Sequence, residues 1–147
     1  MTTYKNGFTL IEILLVVIII GVIAAIAIPN FNNLSNRNNT AKAQADIRAL
    51  QVAVENFYLY NSSAYPAALS SLTTTTPVLL RTIPKDPYSS SGDLYGYNRS
   101  PNTKYYVIYS VGTTRGGSAS VSDAGVLTET NGASCIYVSN IQEDTQP

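Results

Sequence analysis

The stretch FTLIEILLVVIIIGVIAAIAI, Phe8 to Ile28, decides the architecture. It is almost wholly apolar and holds a single charge, Glu12. Ahead of it lie Met1 to Gly7, with Lys5 their one charged side chain, and after Glu12 no charge follows until Arg37. About 20 apolar residues in a row is the length a bilayer-spanning helix needs. An acid inside such a span costs about 2.5–3.5 kcal/mol on insertion scales, so it needs a reason to be there. The run predicts a transmembrane helix over 8–29, with Glu12 as a functional residue. On these residues alone three readings stay open. One is a plain membrane anchor. Another is a secretory signal peptide, with Ala25-Ile26-Ala27 as its small-x-small cleavage site. The third is a helix that is kept and put to use.

Beyond Pro29 the helical pattern resumes. Ala43, Ile47, Leu50, Val54 and Phe57 recur at three- and four-residue spacing, which places them on one face. Gln44, Arg48, Gln51 and Glu55 fall off that stripe. The spacing predicts an amphipathic continuation over 30–61, ended by Asn61-Ser62-Ser63. A helix from Phe8 to Asn61 would be about 80 Å long at about 1.5 Å per residue. Pro29 removes a backbone donor and crowds the preceding turn, and Gly21 adds a second weak point. These two mark the expected break.

Residues 62–84 read as a loop, tacked down by Leu69, Leu72, Val78, Leu79, Leu80 and Ile83. Strands are predicted at Leu94–Asn98 and Tyr105–Val111, rich in Tyr, Val and Ile. The turn Ser100-Pro101-Asn102 between them predicts an antiparallel pair. Val126–Thr128 and Ile136–Val138 are further short strands. The fold class is α+β: one long N-terminal helix packed on a small antiparallel sheet, the latter within 62–147.

The chain has 147 residues with 9 basic and 9 acidic side chains, so no basic excess points to nucleic acid. It has no histidine, which removes the usual general base and the commonest zinc ligand. Cys135 is the sole cysteine, so no internal disulfide forms. Gly116-Gly117 lacks the lysine and spacing of a phosphate-binding loop. No nucleophile has an evident activating partner. The expectation is a protein that is not an enzyme.

Gly7-Phe8-Thr9-Leu10-Ile11-Glu12, followed by an apolar helix and Pro29, resembles the signal of type IV prepilins and pseudopilins. The resemblance implies cleavage after Gly7 by a membrane prepilin peptidase on the cytoplasmic side, leaving 1–7 as a removed leader. It implies retention of the helix, N-methylation of Phe8, and melting between Gly21 and Pro29 in the assembled filament. A second resemblance covers Ile83-Pro84-Lys85-Asp86-Pro87-Tyr88, Tyr95-Gly96-Tyr97 and Tyr105-Tyr106-Val107-Ile108-Tyr109-Ser110-Val111-Gly112, then Gly116-Gly117. These are similar to the major pseudopilin of type II secretion systems. That family has a tryptophan at the Tyr88 position and Gly-Ala-Asp-Gly where Gly112-Thr113-Thr114-Arg115 stands here. Its loop binds calcium through aspartates and carbonyls. With Thr114 and Arg115 in place of acid, Asp123 is the one nearby candidate ligand, and a metal-free loop is the expectation.

The resemblance implies a subunit of a helical homopolymer, with minor pilins or pseudopilins and an inner-membrane assembly platform as partners. The subunit would begin as a single-pass inner-membrane protein with its C-terminal domain in the periplasm. It would end in a periplasmic or extracellular filament. Glu12 would pair with the Phe8 amine that cleavage creates, and so set register. A secretion pseudopilus is the first expectation. A surface pilus for adhesion, motility or DNA uptake is the alternative, and a static membrane-anchored binding domain the second.

Overall fold

The computed structural model describes residues 7–130 and 135–141, apart from the side chains of 27–33. The leader expected at 1–7 therefore lies outside the description except for Gly7. Helix α1 runs Leu10–Tyr60, followed by a 3-10 turn, Leu69–Thr73. Five strands follow: β1 Gly96–Arg99, β2 Tyr106–Ser110, β3 Ser118–Val121, β4 Leu127–Thr130 and β5 Ile136–Ser139. The chain divides into two compact units, Met1–Arg37 and Asn38–Pro147. The division falls within the expected 30–61 segment, because side chains from Leu34 to Asn38 are exposed and burial starts only at Asn39.

In the first unit the helical assignment passes through Gly21 and Pro29 without interruption. The described side chains of this run are exposed, from Phe8 at 76% to Ile26 at 64%. Among the described residues no helix is long and apolar enough to cross a membrane. The apolar run itself continues past Ile26, the last side chain of that run described before Leu34.

In the second unit the expected stripe is the core face of α1. Ala43, Ile47, Leu50 and Val54 are buried and Phe57 partly so. Burying a side chain of Leu or Ile size contributes about 1.5–3 kcal/mol. The helix ends at Tyr60, with the Asn61 N–H donating to the Phe57 carbonyl at 2.9 Å. The sheet facing it has order β1-β2-β5, all antiparallel, with Tyr97 opposite Ile108 and Ile108 opposite Val138. A separate hairpin pairs β3 with β4. The Val121 N–H donates to Asn98 Oδ1 at 3.1 Å and ties that hairpin to β1.

The strands expected at Leu94–Asn98, Tyr105–Val111, Val126–Thr128 and Ile136–Val138 are present with shifted ends. Leu94 makes only an isolated bridge to Lys85. In the connecting loop, Leu69 and Leu72 are buried and Leu79, Leu80 and Ile83 pack on the core. Val78 does not join them. It is 60% exposed, one residue past Pro77.

Candidate functional site

Two regions carry the expected site residues: the N-terminal turn of α1, and the loops at the two ends of the strands, with Asp123 at the Tyr106 end of β2 and Gly112–Arg115 at the Ser110 end. At the first, Gly7, Phe8 and Thr9 precede the helix in irregular backbone. The Thr9 carbonyl accepts the N–H of Glu12 at 3.1 Å and of Ile13 at 3.4 Å, so the helix starts immediately after Thr9. Glu12 then sits in the first turn. Thr9-x-x-Glu12 has the spacing of a capping box, and a carboxylate there meets the positive end of the helix dipole. That position holds for the single subunit, before any partner amine is considered. The Gly7–Phe8 peptide bond lies ahead of the helix, between two exposed residues. A Cβ added at Gly7 or Gly21 meets no atom within 4 Å, so packing in the lone subunit does not require glycine at either position. The Pro29 side chain lies outside the described residues.

The strand-end loops are held by three polar side chains. Asp86 is buried, and its carboxylate accepts the N–H of Tyr88 at 2.9 Å and the hydroxyl of Ser110 at 2.8 Å on Oδ1. Its Oδ2 accepts the N–H of Val111 at 2.8 Å. Asn102 bridges the β1–β2 turn to the β3–β4 turn. Its N–H donates to Asp123 Oδ1 at 2.6 Å and its Nδ2 to the Asp123 carbonyl at 2.9 Å. Asn140, after β5, accepts the Tyr106 N–H at 2.9 Å and donates to the Lys104 carbonyl at 2.8 Å. Asp123, the calcium candidate, is thus already an acceptor within a turn. Among the described residues no three acidic, cysteine or histidine side chains converge to hold a metal. Calcium takes six to eight oxygens with carboxylates among them. The donor set around Gly112–Arg115 does not fit that demand.

A ladder of tyrosines, Tyr106 in β2 and Tyr65, Tyr88 and Tyr95 outside the strands, fastens the β-domain to the helix, and reading the helix as one apolar stripe passes over it. Tyr88 and Thr40 hydroxyls meet at 2.6 Å, Tyr95 donates to Asp46 at 3.0 Å, and Tyr106 donates to Glu55 at 2.6 Å. Tyr65 donates to the other oxygen of Glu55 at 3.2 Å. The Tyr65 ring lies 4.6 Å from both Tyr58 and Tyr106. Burial, with Glu55 nearby, pushes the Tyr65 phenol up to about 12. Burial drives Tyr97, and burial with a carboxylate acceptor drives Tyr95 and Tyr106, well above the usual phenol range. The available signal was tyrosines in and just before the strands, together with Asp46 and Glu55 on the helix. Cys135 is buried with its thiol directed at the Ser110 carbonyl, 3.5 Å away, and burial pushes that thiol up.

Comparison with known proteins bears on both regions. A model of the prokaryotic N-terminal methylation motif matches residues 2–28. The type II secretion system core protein G of Pseudomonas aeruginosa is 33% identical over 138 residues, covering 82% of this chain and 94% of that protein. Its counterpart in Vibrio cholerae is 32% identical over 137 residues, covering 82% of this chain and 90% of the relative. The type IV major pilin protein PilA of Myxococcus xanthus is 48% identical over 54 residues, but the match covers only 37% of this chain and 24% of the pilin. No solved structure matches. An identity of one third across nearly the full length of a core protein G settles the kinship: this chain belongs to the pilin-like family of type II secretion system core protein G, the major pseudopilins.

Proposed function

We propose that this chain is the repeating subunit of a type II secretion pseudopilus. One observation carries the reading: a helix whose side chains from Leu10 to Ile26 are all exposed, with one carboxylate in its first turn, just past the Gly7–Phe8 junction. Such a surface needs a cover. Lipid serves before assembly, when the helix lies in the inner membrane with the β-domain in the periplasm. Helices of other copies serve afterwards.

Prepilin peptidase cleaves after Gly7, and the new amine on Phe8 becomes a cation for Glu12 to pair with. An isolated charge in an apolar bundle is costly and a paired one is tolerated. Glu12 of one subunit therefore sets the register of the next. In the filament the helix opens between Gly21 and Pro29, where the missing Pro29 donor and the flexible Gly21 make opening cheapest. The chain acts as a mechanical element and catalyses nothing. Minor pseudopilins, the assembly platform and its ATPase are the partners this role requires.

A surface pilus is the second reading, favoured by the 48% identity to the Myxococcus pilin over the shared segment. The N-terminus and polymeric state of the chain recovered from cells test the proposal. A processed monomer that never joins a polymer overturns it.

A further inference from the structure

The loop after β2, residues 112–117, is where the family implies calcium, and the carbonyls that lead into it, from Ser110 to Gly112, each accept a hydrogen bond. The Ser110 carbonyl accepts the Cys135 thiol at 3.5 Å. The Val111 carbonyl accepts the Gly117 N–H at 2.9 Å, and the Gly112 carbonyl accepts the Arg115 N–H at 2.9 Å. Arg115 adds a cation, held in a left-handed conformation at φ 56°. Gly117 has no room for a side chain, since a Cβ there would lie 2.8 Å from the Val111 oxygen.

We propose that the buried Asp86 carboxylate organises this loop in place of a bound cation, so that the β-domain folds without calcium. Only one of the three bonds it accepts, from Tyr88, is local. The other two come from Ser110 and Val111, 24 and 25 positions along the chain. Ser110 Oγ in turn accepts the Gly112 N–H at 3.2 Å, so the carboxylate reaches the start of the loop in two steps. Asp86 is itself pinned, donating its N–H to the Asp93 carbonyl at 3.0 Å and accepting the Ser89 N–H at 3.1 Å. An acceptor fixed at the head of a turn thus gathers the donors at the end of β2. A cation would gather carbonyls instead, and here those of Val111 and Gly112 close turns. Asparagine at position 86 cannot substitute, because its amide group would face an N–H of Tyr88 or Val111.

The test uses the unassembled full chain in detergent micelles, so its outcome is separate from that of the filament reading. Thermal unfolding is followed in millimolar calcium and in excess EGTA. The wild-type midpoint is expected to agree between the two within about 1 °C. A calcium ion at 100 times its dissociation constant would raise it by roughly 8–15 °C. Asp86→Asn is expected to lower the midpoint by about 5–10 °C in both buffers. Ser110→Ala keeps the carboxylate but cuts its link to the loop. It should speed hydrogen exchange at the Gly112 amide at least about tenfold, with core helix amides unchanged. A calcium-dependent wild-type midpoint, calcium rescue of Asp86→Asn, or unaltered Gly112 exchange in Ser110→Ala would each overturn the proposal.

Discussion

Glu55 lies off the apolar stripe of α1, yet removing it should cost as much as removing a core leucine. Its carboxylate accepts the Tyr106 hydroxyl at 2.6 Å and the Tyr65 hydroxyl at 3.2 Å. Tyr106 is fully buried, so its hydroxyl has no water to turn to. A hydrogen bond to a charged group contributes about 1.5–3 kcal/mol net, which is the loss expected for Tyr106→Phe. Glu55→Ala removes that bond and also strips the acceptor from both hydroxyls. Each stranded buried donor adds about 1–3 kcal/mol. Gln51 and Asn140 donate to the Tyr106 and Tyr65 oxygens and so do not replace the lost acceptor, but Glu55 is only half-buried, water can enter in its place, and the addition falls at the low end. The total for Glu55→Ala is about 3–5 kcal/mol. Once Glu55 is gone, the Tyr106 hydroxyl is a liability, so adding Tyr106→Phe should cost little more. The coupling energy is then about 1.5–3 kcal/mol. Urea unfolding of the two single variants, the double variant and the wild type, followed by circular dichroism, measures it. Two losses that add within about 0.5 kcal/mol would refute the reasoning, since independent sites behave that way.

Glu12→Ala should leave membrane insertion intact or easier, and cost the helix start only about 0.3–1 kcal/mol. Filament yield at equal subunit level should fall at least about tenfold, with Glu12→Asp intermediate; normal yield from Glu12→Ala would remove Glu12 from register setting. The tyrosine ladder predicts an alkaline limit to stability. The phenols of Tyr65, Tyr95, Tyr97 and Tyr106 have folded values raised above the ordinary 10.0, so the unfolded chain releases protons first as pH climbs. Stability from this source is complete below about pH 10 and is lost as pH rises through about 12. Melting temperature against pH, with tyrosinate absorbance as the titration readout, checks it. A midpoint that holds steady from about pH 9 to pH 12 would contradict it.

Much of the fold can be read from the residues, because burial follows periodicity. The stripe Ala43, Ile47, Leu50, Val54 names the core face before any coordinates, and Tyr105–Val111 marks the central strand. β3 is missed because Ser118-Ala119-Ser120-Val121 is short and small, though its alternation leaves Ala119 and Val121 buried. Val78 misleads because apolar character alone does not say which loop residues turn inward. Glu12 stands out in the sequence because a carboxylate in an apolar run is chemically expensive, and the structure puts it in the first turn of α1. Asp86 and Glu55 are not, since a polar side chain declares its role only when its donors arrive from distant sequence. Asp86-Pro87 does announce a turn, but nothing nearby tells that Ser110 and Val111 will complete it.

The central claim is a processed subunit that polymerises through its N-terminal helix. The most direct measurement is intact mass and N-terminal sequencing of this chain, taken from filaments sheared or cross-linked out of cells carrying the secretion machinery. The account predicts a polymeric fraction whose subunits all begin at Phe8, bear one N-methyl group and retain the residues through Ile28. Subunits beginning at Ile28, or a chain beginning at Met1 and found only as monomer in the membrane fraction, would contradict it.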